Sequence, residues 1–96
     1  MNHAQRTAQR TAKGFARREM LNPGEALKRA KPAGPFVVAL AELGGGGYQI
    51  RVAQPAVIER GRPTKAPLIA TVDTYGRSKY DVAARRFNSL VDEELV

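Results

Sequence analysis

The stretch Phe36-Val37-Val38-Ala39-Leu40-Ala41-Glu42-Leu43, then Gly44-Gly45-Gly46-Gly47, then Tyr48-Gln49-Ile50-Arg51-Val52, decides the fold class. The first run is apolar at odd and even positions alike. That pattern fits a strand covered on both faces or a buried helix. Pro35 before it and the glycines after it favour the strand. The second run alternates, with Tyr48, Ile50 and Val52 inward, as a half-buried strand does. Together they predict a hairpin joined by a flexible glycine turn.

Toward the C-terminus, Pro55 interrupts the pattern, and Ala56-Val57-Ile58-Glu59 reads as a bulged continuation or an edge segment. Arg60 to Pro67 reads as a polar loop carrying Arg60, Arg62 and Lys65. Leu68 to Thr74 is the third strand, with Leu68, Ala70 and Val72 on one face. Ser78-Lys79-Tyr80-Asp81 has the form of a capping box. Tyr80, Ala83, Ala84, Phe87, Leu90 and Val91 then recur at helical spacing and make one apolar face. Asp81 and Arg85 are spaced for an i, i+4 pair. The expected body, residues 36–96, is a three-stranded antiparallel sheet covered by this C-terminal helix, an α+β fold.

Toward the N-terminus, residues 2–21 contain no proline and one glycine, Gly14, and are rich in helix-forming Ala, Gln, Arg and Lys. Gln-Arg-Thr-Ala occurs at 5–8 and again at 9–12. On a helix, Arg6, Arg10, Lys13 and Arg17 form one stripe about 16 Å long, with Arg18 beside it. Ala4, Ala8, Thr11 and Phe15 form the opposite face. The four cations repel one another, and Gly14 costs about 1 kcal/mol against Ala. The isolated helix is therefore expected to fray and to be ordered by a polyanion. Asn22-Pro23-Gly24-Glu25 reads as a second capping box, starting a short helix from Glu25 to about Lys31. Pro32-Ala33-Gly34-Pro35 reads as a linker, so residues 1–35 are a basic helical segment attached to the body. Phe15 and Leu27, or a partner, are candidates to cover the second face of the Phe36–Leu43 strand.

The chain has 96 residues, 16 Lys and Arg against 9 Asp and Glu, a net charge of +7, and no cysteine. Residues 1–35 hold eight of the cations and two acids, a net of +6, so the charge is gathered at one end. Charge gathered this way suits an anionic partner; the plain alternative is a solvated basic face. The absence of cysteine excludes disulfides and thiolate metal sites, and no apolar run approaches a membrane span. A cytoplasmic location is expected. An Arg-rich targeting segment is a further reading of the N-terminus, but its alanine face is poor for a membrane or an import groove.

Catalytic and metal sites are not expected. His3 has no neighbouring ligand types, Ser78 has no base near it in sequence, and the acids include no pair suited to acid–base work. Gly44–Gly47 lacks the Lys-Ser/Thr and the following helix of a phosphate loop. Asp92 to Glu94 read as a solvated end or as a contact for a basic partner. Tyr75 is the one aromatic residue placed to stack on a base. No cofactor is implied.

Two resemblances add to this reading. The order helix, three strands, helix, with Gly76-Arg77-Ser78-Lys79 opening an Ala-Ala helix, resembles the double-stranded RNA-binding domain. That family meets phosphates through cations at the start of its last helix, a role the resemblance gives to Arg77 and Lys79. Tyr80 and Asp81 depart from its lysine cluster, and the first loop has four glycines in place of the family's proline-histidine signature. In size and class the chain is also similar to small phage accessory proteins such as anti-CRISPR proteins, an analogy with no shared motif.

The leading expectation is a non-enzymatic module that grips nucleic acid or a nucleoprotein complex through Arg6, Arg10, Lys13, Arg17, Arg18, Lys28, Arg29 and Lys31, with Arg77 and Lys79 as further contacts. The alternative is a phage-type interaction module docking on a protein or nucleoprotein assembly through its sheet or acidic C-terminal end.

Overall fold

The computed structural model describes residues 2–55, 58–63 and 67–94. Helix α1 spans His3–Glu19, and strands β1 (Ala26–Ala33), β2 (Phe36–Glu42) and β3 (Tyr48–Gln54) follow. A small hairpin, β4 (Ile58–Glu59) with β5 (Arg62–Pro63), precedes β6 (Leu68–Tyr75) and helix α2 (Tyr80–Ser89). A π-helical turn, Leu90–Glu94, extends α2. The main sheet is antiparallel with strand order β1-β2-β3-β6. The fold is thus α+β with a helix at each end of the chain, as expected, but the sheet has four strands, not three.

The extra strand is β1, where the sequence predicts a short helix. Asn22-Pro23-Gly24-Glu25 is a turn: Gly24 takes φ 85°, and the Glu25 N–H donates to the Asn22 carbonyl at 3.1 Å. Pro at the second position and a positive-φ glycine at the third are the requirements of a type II turn. The Glu25 carboxylate does accept from the Asn22 N–H, at 2.7 Å, as in a capping box, but a strand follows. The expected linker, Pro32 to Pro35, is the end of β1 and its turn into β2. Hydrogen-bonded pairing therefore runs across the 35/36 boundary.

The continuous apolar run in β2 is explained by two layers. Val37 and Ala39 face one side with Ala30 and Ala53, under Ala12, Ala16 and Met20 at the sheet side of α1. Val38 and Leu40 face the other side with Ile50, under Ala83, Phe87 and Leu90. Phe15 and Leu27 do join the first cluster, partly buried. Of the helix face opposite the cations, Ala4, Ala8 and Thr11 are exposed. The contact face is rotated toward Ala12 and Ala16 because their small side chains let the helix approach the alanines of the sheet.

The C-terminal apolar face is as expected, with Phe87 fully buried and Tyr48 and Tyr80 rings 5.3 Å apart. Two local details differ. Lys79, not Ser78, occupies the N-cap of α2 and makes no side-chain cap. Arg85 donates to the Asp81 backbone carbonyl, while the ion pair is Arg86 with Asp73 of β6, at 3.0 Å. The β4–β5 hairpin replaces part of the expected polar loop; Ala56, Val57 and Lys65 lie outside the described residues.

Candidate nucleic-acid interface

Helix α1 is held at three places. At its start the Asn2 carboxamide accepts from the Gln5 N–H at 2.8 Å, and the Gln5 side chain accepts from the Asn2 N–H at 3.1 Å. This reciprocal cap satisfies two donors that a helix start leaves open. The spacing Asn-x-x-Gln at residues 2–5 is the sequence signal for this cap. Along its length Ala12 and Ala16, and just past it Met20, bury against the sheet. At its end the Met20 carbonyl accepts from Arg51 Nη1 at 2.8 Å.

Arg51 is the buried polar centre of the protein. It is 6% exposed, in a central strand, and its guanidinium meets both Glu25 oxygens, at 2.5 and 2.8 Å, and Gln49 at 2.7 Å. The Arg51 hydrogen bond holds the Glu25 carboxyl down to about 2, against the desolvation that opposes it. The fork of a guanidinium suits this two-oxygen contact. One side chain thus ties the end of α1, the turn before β1 and the middle of the sheet.

On this anchored helix Arg6, Arg10, Lys13 and Arg17 are all exposed. Arg6, Arg10 and Lys13, with Gln9, line an open cleft of about 360 Å³. Three cations and one neutral amide around a shallow cleft match the acceptor-rich surface of a phosphate group. Arg18 is exposed off the stripe, its guanidinium folded back over Gly14. Arg17 and Arg18 in the last turn also complement the helix dipole.

The other expected site residues do not join this cleft. Lys28 sits at the β1 bulge, 3.9 Å from the Glu42 carboxylate, a half-exposed pair of little energetic weight. Arg29 and Lys31 pair with Leu40 and Val38, which puts them on the sheet face that α2 covers, at the β1 edge. Lys31 lines a second cleft of about 380 Å³ with Gln5, Ala8, Gln9, Pro32, Val91 and Asp92, where the Asp92 carboxylate disfavours an anion. Arg77 donates to the Gly45 carbonyl at 2.8 Å and so pins the glycine turn that reads as flexible from sequence. Lys79 is exposed at the start of α2. Arg77 and Lys79 belong to the loop feeding the α2 layer, away from the α1 stripe. Tyr75 is half-buried against that layer, and burial, then Asp73, pushes its hydroxyl pKa up.

Among the described residues no group of three metal-ligating side chains comes together, and no helix is long and apolar enough to cross a membrane. The chain is a small α+β protein whose four-stranded antiparallel sheet lies between two helices, one of them basic. It matches no protein family, no curated protein and no solved structure. The fourth strand departs from the helix, three strands, helix order that suggests the double-stranded RNA-binding domain.

Proposed function

We propose that this protein is a non-enzymatic binder of nucleic acid or of a nucleoprotein complex, gripping phosphates with α1. The observation that carries the reading is the exposed row Arg6, Arg10, Lys13 and Arg17 on a helix already packed against the sheet. A row set on a packed helix binds without first having to order the chain, which removes part of the cost of binding. Phosphate contacts position a protein but read no sequence, so the binding has little base specificity. Lys28, Arg29 and Lys31 add to the positive field around the β1 edge rather than to the contact itself. The analogy to small phage proteins such as anti-CRISPR proteins fits the same surface, since a nucleoprotein complex offers phosphates too. The reading carries with it a cytoplasmic location, where such partners lie.

The test is charge reversal at the centre of the row. Arg10→Glu with Lys13→Glu turns two attractive contacts into repulsive ones while leaving Ala12, Ala16 and Met20 in place. Circular dichroism should be unchanged and duplex binding lost. Full retention of binding overturns the reading and assigns the function to another surface, as in a protein-docking module.

A further inference from the structure

The two edges of the sheet differ in a way that binding through α1 does not explain. β1, one edge, carries Lys28, Arg29, Lys31 and Pro32. Lysine and proline on an edge strand are what natural sheets use to refuse further pairing. β6, the other edge, is eight residues long, Leu68-Ile69-Ala70-Thr71-Val72-Asp73-Thr74-Tyr75, with no lysine, arginine or proline. Among the described residues nothing pairs with its outer side. Its single charge, Asp73, is compensated by Arg86. Its apolar side chains are left open: Leu68 is 68% exposed, Ile69 42% and Val72 41%. Leu68 and Ile69, with Phe36, Val52, Gln54 and Ala70, line a mostly apolar cleft of about 280 Å³ to which α2 contributes no residue.

We propose that β6 is a self-association edge, on which two copies of this chain pair antiparallel about a two-fold axis and form one eight-stranded sheet. Three features select a second copy as the occupant. The first is charge: β6 carries no cation and its one acid is paired with Arg86, so two β6 strands meet without like-charge repulsion although the chain as a whole carries +7. The second is the distribution of exposed groups. Antiparallel self-pairing lays the Tyr75 end of one strand beside the Leu68 end of the other, so that Leu68, the most exposed large apolar side chain among the described residues, gains a neighbouring strand. The third is the position of the basic surface. α1 packs chiefly over β1, at the far edge. Eight strands about 4.8 Å apart set the two β1 strands about 34 Å from each other, several times the ~8–10 Å screening length at physiological salt. The two basic surfaces therefore do not oppose the dimer. The bulge at Val72 adds twist to β6 but introduces neither charge nor proline. The dimer stands independently of the phosphate reading; if that reading holds as well, the dimer is bivalent for nucleic acid.

Sedimentation equilibrium of the full, nuclease-treated chain, without nucleic acid, tests the proposal over about 1 to 200 μM. The expected result is a concentration-dependent rise from 10.4 kDa toward twice that mass. Val72→Lys and, separately, Ile69→Lys should each raise the dissociation constant by about tenfold or more, with unchanged circular dichroism and melting; Ile69→Val should keep the dimer. A wild-type chain that stays monomeric throughout overturns the proposal and leaves the edge to a strand of another protein. A dimer that both lysine variants preserve while folded overturns it too, because the contact then lies elsewhere. Duplex binding measured on the same samples separates the two readings: a monomer that binds duplex defeats only the edge, and a dimer that does not bind defeats only the phosphate row.

Discussion

Arg51 and Glu25 form a two-pronged ion pair in which neither side chain is more than 9% exposed, joining strand β3 to the turn that precedes β1. The same guanidinium caps the carbonyl at the end of α1. Breaking one partner of a buried pair leaves the other charge uncompensated, which costs far more than the pair contributes when intact.

The first prediction is a pH dependence. The Glu25 carboxyl is lowered from 4.5 to about 2 in the folded protein. The unfolded chain therefore takes up this proton first as pH falls, and the stabilisation, complete above 4.5, is lost as pH drops toward about 2. Melting temperature should be level from neutral pH to about 5 and fall below that. Glu25→Gln should destabilise the protein at neutral pH by about 3 kcal/mol and flatten this part of the acid profile. An unchanged profile in that variant would show that other carboxylates govern acid unfolding.

The second concerns the basic N-terminal third. A chain of residues 36–96 lacks β1 and α1, so Val37, Ala39 and Ala53 lose their cover. No cooperative thermal transition is expected, and far-ultraviolet circular dichroism of the fragment should change gradually with temperature. A sharp melt would show that β2 tolerates a bare face.

The third concerns the opposite layer. Phe87 is the largest fully buried side chain. Phe87→Ala should cost about 3–5 kcal/mol, a large part of the total stability of a domain this small. Urea titration with an unchanged slope would read that loss directly.

The fourth contrasts two glycines of one turn. A Cβ at Gly47 would lie 2.8 Å from the Tyr75 carbonyl oxygen, whereas one at Gly45 meets nothing within 4 Å. Gly47→Ala must displace backbone of β6 and should cost about 1–3 kcal/mol. Gly45→Ala should lie within about 0.5 kcal/mol of wild type. Equal effects in the two melts would contradict the close approach.

The fifth concerns binding. If the α1 row meets about four phosphates, log affinity for a duplex should fall against log salt with a slope near −3 to −4. Arg10→Ala with Lys13→Ala should reduce that slope by about 2. Fluorescence anisotropy across a salt series gives both values, and an affinity that does not respond to salt would remove the phosphates from the contact.

Sequence alone determined the elements whose pattern is local. The alternation of Tyr48, Ile50 and Val52, the two-faced run from Phe36, and the helical recurrence from Tyr80 to Val91 each encode their own geometry. So does the stripe from Arg6 to Arg17, because 3.6-residue periodicity alone sets which side chains share a face. Tertiary structure decided what these patterns leave open. Asn-Pro-Gly-Glu satisfies both a helix start and a type II turn, and Ala-Leu-Lys-Arg-Ala-Lys has good helix formers throughout. Residues 26–33 became β1 because β2 offers a long open edge, and the pairing between them outweighs a weak local preference. The burial of Arg51 was hidden for the same reason. Its partners are Glu25, 26 residues away, and the carbonyl of Met20, 31 residues away. A charged residue in an alternating strand reads as outward until α1 closes over it and the turn before β1 brings the Glu25 carboxylate to it.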